Sequence, residues 1–287
     1  MGSALACSMN IGHFHELPVW VVGETGVLLG NRDSHVILPA HENPGGLKKG
    51  DRLRVFVTTD THDQVTATLQ VPAGEVGDLA FLTVVDATPH GVFVDWGLSK
   101  DLFVPWRHQH ERLAVGEQAV VYIGLDEQTS RPVGWTKLVD ILVAPTDRVR
   151  VGQQVALMVY GFNDMGVLCA VDGKWSGLLY ADKLNGTYHV GDKMVGYVER
   201  VRESDKLDLS LVPVGRAGTR HAIDVVREAL DEEGGFLPLT DKSPPAHIKQ
   251  RLGLSKKVFK KALGSLYKRR EIVLEAGGVR RVASSAD

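Results

Sequence analysis

The sequence predicts a mainly β chain with a C-terminal α+β domain: three five-stranded barrels in tandem, followed by a winged helix-turn-helix. Three observations predict this. A pair of glycine-centred signals recurs three times at near-constant spacing. Strand-like alternation stops after Pro213. Positive charge gathers near the carboxyl end of a chain whose formal net charge is only −2. A length of 287 residues accommodates several ordinary cores, and 44% hydrophobic with 24% charged residues is a globular composition.

The first copy of the repeat contains "GVLLGNRDSHVILPA" (26–40), the second "GVFVDWGLSKDLFVPW" (91–106) and the third "GVLCAVDGKWSGLLYA" (166–181). Each opens Gly-Val, alternates as a strand, breaks at polar and glycine residues, and returns through a second apolar strand. A second signal follows in "LKKGDRLRVFV" (47–57), "LAVGEQAVVYI" (113–123) and "YHVGDKMVGYV" (188–198), a turn at Gly50, Gly116 or Gly191 and then a long alternating strand. The two signals lie 24, 25 and 25 residues apart. Earlier strands are predicted in "VWVVGET", "DLAFLTVVDAT" and "QQVALMVYGFND", and closing strands in "QVTATLQV", "RPVGWTKL" and "KLDLSLVP". Five strands per copy suit a small closed barrel, because closure removes exposed sheet edges. The OB barrel is the natural candidate, with copies over 9–70, 72–143 and 148–213. The period is too long for a solenoid.

Beyond Pro213, "TRHAIDVVREALDEEGG" (219–235) predicts a helix capped by Thr219, with Ile223, Val226 and Leu230 on one face. A short apolar piece, "FLPL", follows. A second helix is predicted in "SPPAHIKQRLG" (243–253), with Ser243 as cap, and a third in "LSKKVFKKALGSLYKRR" (254–270), with Phe259, Ala262, Leu263 and Leu266 inward. "EIVLEAGGVRRV" (271–282) predicts a hairpin turning at "AGG". This is the element order of a winged helix, expected over 217–284. Residues 242–281 hold seven lysines and five arginines against Glu271 and Glu275, a net of +10 that leaves −12 for the remainder. Lys256, Lys257, Lys260, Lys261 and Lys268 lie off the apolar stripe, Arg269 and Arg270 close the third helix, and Arg280 and Arg281 carry the charge into the wing. A phosphate backbone is the commonest partner of so one-sided a cluster, whereas a merely solvated surface mixes both signs.

Several functions find no support. With only Cys7 and Cys169 there is no disulfide framework or cysteine-based zinc site. No apolar run has the length of a membrane span, no signal peptide is recognisable, and the expected compartment is the cytoplasm. "MGSALACS" reads as an appendage before Met9. Phosphate-loop, dinucleotide, nucleophile-elbow and zinc-protease motifs are missing, and no cofactor is expected. His13/His15 and His108/His110 are spaced to share a strand face, but no third ligand follows at a telling distance, so they read as surface or packing histidines. Trp20, Phe81, Phe93, Trp96, Trp106, Trp135, Phe162, Trp175 and Tyr180 lie in or beside strands, and most are expected in barrel cores, Phe81 among them. Trp106 and Tyr180 follow the third strand, where a ring meets either core or ligand.

The layout of each copy resembles the S-one RNA-binding domain, and the second copy most closely. Phe93 matches that family's Gly-x-Phe-Val aromatic, and Asp126 and Arg131 precede the last strand where the family places polar RNA contacts. This resemblance implies that Phe93 either stacks on a base or fills the core. Leu28 and Leu168 replace the aromatic in the other two copies. The full order, with "MNIGHFHELPVW" and "LFVPW", resembles the bacterial conserved virulence factor B family, which implies a non-enzymatic RNA-binding regulator of gene expression. Single-stranded RNA is the expected partner. Two alternatives are a DNA-binding transcription factor using the third helix, and a scaffold docking on the ribosome or the RNA-decay machinery. Lysines without Arg, Asn or Gln on the first turns of that helix suit phosphates better than base edges. The first barrel is expected to be structural or to bind protein.

Overall fold

The computed structural model describes residues 9–142, 149–184, 186–202 and 206–282. The N-terminal appendage, 1–8, lies outside the described residues, as do the expected limits at 143, 148 and 284. The chain divides into two compact units, 1–142 and 143–287.

The first unit holds two barrels. Strands β1 (His13–Val22), β2 (Gly26–Gly30), β3 (His35–Pro39), β4 (Arg52–Thr59) and β5 (Val65–Thr68) close in the order β1-β2-β3-β5-β4. Strands β6 (Leu79–Thr88), β7 (Gly91–Asp95), β8 (Leu102–Pro105), β9 (Gln118–Leu125) and β10 (Pro132–Trp135) repeat it. In the second unit, β11 (Gln154–Asn163), β12 (Gly166–Val171), β13 (Trp175–Tyr180), β14 (Lys193–Val201) and β15 (Leu207–Ser210) form a third barrel of the same order. In each, the closing strand runs parallel to the third strand and antiparallel to the fourth. The first strand of copy one begins at His13, six residues before the predicted start, because His13–Pro18 pair with Arg52–Val57.

Both repeated glycines have a physical cause. A Cβ on Gly26, Gly91 or Gly166 would stand 2.3, 2.4 or 2.1 Å from the carbonyl oxygen of Leu38, Val104 or Leu179, so the hairpin cannot close around a side chain. Gly50, Gly116 and Gly191 adopt φ of +96°, +88° and +94°, and their N–H groups donate to Val19, Val84 and Val159 on the first strand. Just beyond each of those carbonyls the first strand bulges, at Trp20, Val85 or Tyr160, and bends to serve two neighbours.

Aliphatic residues fill the barrels: Val27, Leu29, Leu38 and Val57 in the first, Val92, Val94, Leu102 and Ile123 in the second, Val159, Cys169, Leu179 and Leu209 in the third. This corrects the expectation that aromatics do so. Of the nine singled out, only Trp96 is buried, and Phe81 and Phe162 are exposed. The narrow interior of a five-stranded barrel admits branched aliphatics, and apart from Trp96 the rings stay half-buried or exposed. Phe56 points outward from the first barrel and is wholly buried, edge-on to Trp96 of the second at 5.8 Å. Truncating such a side chain costs about 3–5 kcal/mol.

The winged helix comprises α1 (Gly215–Glu232), β16 (Phe236–Leu237), α2 (Pro245–Leu252), α3 (Lys256–Lys268), β17 (Ile272–Glu275) and β18 (Gly278–Arg281), with sheet order β16-β18-β17. Phe259, Ala262, Leu263 and Leu266 face the core as expected. Three local expectations change. Helix α1 starts four residues before Thr219, whose hydroxyl donates back to Gly215 O. Ser243 accepts from Thr240 N–H, and Pro244 stands at the cap of α2. Glu275 pairs with Gly278, so Ala276-Gly277 alone makes the turn. Ser255 is the side chain that does cap a helix, accepting from Val258 N–H.

Candidate nucleic-acid interface

Alternation along β7 and β8 sends Val92, Val94, Leu102 and Val104 inward, and therefore sends Phe93 and Phe103 outward. The two residues face each other across the hairpin, with ring centroids 5.1 Å apart. Both are half-buried and line a cleft of about 800 Å³ in the first unit. Trp106 follows β8 in a single turn of 3₁₀ helix and lines the same cleft, its indole N–H donating to Pro89 O at 2.9 Å and the Arg112 guanidinium lying 5.2 Å from its ring.

Polar groups converge on these rings. Asp126, just after β9, accepts from the backbone N–H and hydroxyl of Thr129 and from Gln128 N–H, and its second oxygen lies 3.2 Å from Arg107. Those bonds, led by Thr129 and helped by Arg107, hold its carboxyl below the ordinary aspartate value. Arg131 lies 2.8 Å from Asp63, and Lys100 lies 3.1 Å from the same carboxylate. Arg107 is steadied by His108, whose Nε2 accepts from its Nε at 3.1 Å while the ring stacks on Trp135 at 4.3 Å. Burial, and then the Arg107 charge, push His108 down from the ordinary histidine value, so it is a neutral support.

The fold therefore brings Phe93, Trp106, Asp126 and Arg131 to one place. Sequence reasoning missed Phe103, Arg107, Lys100 and Asp63. Phe103 was within reach, since alternation through "LFVPW" puts it on the same face as Phe93. Asp63 lies in the other barrel, 68 residues from Arg131, and leaves no local signal.

Tyr180 is the last residue of β13 rather than one that follows the strand. Its hydroxyl donates to Asp208 at 3.3 Å and accepts from Arg202, within a network that also ties Arg202 to Asp208 at 2.8 Å.

The basic residues of the winged helix are less free than their number implies. Lys260 lies 3.6 Å from Asp241, Arg280 lies 2.7 Å from Glu275, and Arg281 pairs with Asp231. Lys256 donates to the carbonyl of Lys242, and Arg269 lies 4.0 Å from Glu271, which Arg227 already holds. Lys257, Lys261, Lys268 and Arg270 are exposed and form no ion pair among the described residues. The three lysines are spaced four and seven residues apart, which puts them on one stripe of α3.

Three barrels of this topology with a C-terminal winged helix make a multidomain protein whose domain content is that of a nucleic-acid-binding protein. Residues 11–70 match the S1 domain family, and residues 224–280 match the CvfB-like winged helix domain. Conserved virulence factor B of Staphylococcus epidermidis is 23% identical over 91% of each chain, and the Bacillus subtilis protein YitL is 25% identical over 94% of this chain and 93% of that one. A crystal structure of a multidomain protein with nucleic acid binding domains from Streptococcus pneumoniae, 23% identical, covers 95% of this chain and 99% of its own with a TM-score of 0.41. Among the described residues no helix is long and apolar enough to cross a membrane, and no cluster of three metal-ligating side chains occurs.

Proposed function

We propose that this protein binds single-stranded RNA without catalysis and regulates gene expression after transcription, in the cytoplasm. The observation that carries the reading is the convergence of Phe93, Phe103 and Trp106 with Arg107, Arg131 and Asp126 on one cleft. Unpaired bases expose flat faces that stack on such rings for about 1–3 kcal/mol each, and splayed single strands are what OB barrels read. The stripe of Lys257, Lys261 and Lys268 adds phosphate attraction that is independent of sequence and falls with salt. Tyr180, Lys256, Lys260, Arg269, Arg270, Arg280 and Arg281 are secondary in this reading, most of them being held by protein partners. The regulatory part of the reading rests on the resemblance drawn from the sequence, which relatives named Conserved virulence factor B support at the level of the family only.

Competition between single-stranded RNA and duplex DNA of equal length tests the reading. The single strand is expected to win. Preference for the duplex would assign the contact to the winged helix, and failure to bind either at low salt would favour a protein-docking scaffold.

A further inference from the structure

The cleft has a second wall, and it comes from the first barrel. In the loop between β4 and β5, Asp60 accepts the N–H groups of His62 and Gln64 at 2.8 and 2.9 Å. The turn this fixes holds Asp63 at φ +64°, a left-handed conformation that aspartate tolerates. From there the carboxylate reaches two cations of the second barrel. Its Oδ1 lies 3.1 Å from Lys100 Nζ and its Oδ2 lies 2.8 Å from Arg131 Nη2. Lys100 also donates to Asp60 O at 2.7 Å, so the loop and the cation are latched together.

One carboxylate thus offers each of its oxygens to a different cation, as two oxygens of a phosphate would. The charges lining the cleft balance: Lys100, Arg107 and Arg131 face Asp63, Asp101 and Asp126. A polyanion entering a neutral cleft gains little unless a carboxylate leaves. Asp126 is fastened by three hydrogen bonds from Thr129 and Gln128, whereas the Asp63 carboxylate is held through its two cations. The side chains of Asp63, Lys100 and Arg131 are 36%, 36% and 44% exposed, so water screens their pairing and exchange of one anion for another is cheap.

We infer that Lys100 and Arg131 form a phosphodiester site in this cleft, and that Asp63 of the first barrel is its resident counter-anion, displaced when a strand enters. The inference rests on the RNA reading above. It gives the first barrel a part in that reading, as the competitor that sets how strong a ligand must be.

The test is equilibrium binding of a short fluorescein-labelled single-stranded RNA of mixed sequence to the full chain at fixed low ionic strength. Asp63→Asn keeps the turn, because asparagine accepts the left-handed conformation at least as well. It should tighten binding roughly three- to tenfold, since it frees two cations for charge-assisted hydrogen bonds to phosphate. The gain should vanish when Lys100→Met and Arg131→Met are also present. An unchanged or weaker Asp63→Asn complex overturns the inference and leaves the RNA reading standing. A gain that survives loss of both cations overturns it too, as a general effect of net charge. Absence of RNA binding by the wild-type chain overturns both.

Discussion

The second and third barrels share strand order, hairpin register and the glycine turn onto the first strand, yet they present different surfaces. Gly91 and Gly166 open the same hairpin, and the pair Phe93 and Phe103 occupies the register positions of Leu168 and Leu178. Asp126 and Arg202 both follow the fourth strand and donate a backbone N–H to the carbonyl of the residue just before the fifth, Arg131 or Lys206. One barrel therefore carries an aromatic pair beside a carboxylate, and the other an aliphatic pair beside a guanidinium. Inward positions are dictated by closure of the barrel. Outward positions are free, and there the copies have diverged. The architecture alone does not make a ligand site, and the outward residues decide whether one exists.

The comparison can be broken or sharpened by substitution. The largest effect is expected from Phe93→Ala combined with Phe103→Ala, which should weaken single-stranded RNA binding by roughly 1–3 kcal/mol per stacked base in a titration. Leu168→Ala with Leu178→Ala should leave it nearly unchanged, and equal losses would erase the distinction between the barrels. Next comes the winged helix. Lys257→Ala, Lys261→Ala and Lys268→Ala together should flatten the salt dependence of binding by about 0.7 in slope for each phosphate that α3 no longer neutralises, for all sequences alike. An unaltered slope would remove α3 from the interface. The smallest effect concerns the inward positions. Cys169 stands where the second barrel has Val94, and burial pushes its thiol up to about 12. Cys169→Val should shift stability by under about 1.5 kcal/mol in a denaturant melt. In the wild type the thiol should resist alkylation until the barrel opens, because the reactive thiolate is absent at neutral pH.

How far the sequence foretold this depends on whether a residue's role is local. The barrels were legible because Gly91 and Gly116, with their counterparts, are required by contacts inside one copy. Phe93 was legible as a strand aromatic, with stacking and core burial both open, and its cleft was not legible, because one wall belongs to another barrel. The charge of the winged helix was legible only in part. A count over 242–281 omits Asp231, Glu233 and Asp241, which precede that window and fold back onto Arg281, Arg251 and Lys260. Pairing across such distances is a property of the packed domain, and no window of sequence contains it. The aromatics were misplaced for a related reason: hydrophobicity marks a residue for burial without saying whether a narrow barrel has room for a ring.

Closure of all three barrels leaves the winged-helix sheet as the described sheet with open margins, and β17 borders it with Val273 and Leu274 exposed. Its free amides and carbonyls can accept a strand from another molecule. Glu275 next to Arg280, and Arg269 beside Glu271, set charge at both ends of that margin, the usual means of discouraging such pairing. Edge-to-edge strand pairing at high concentration has this four-residue border as its template, which the closed barrels do not offer.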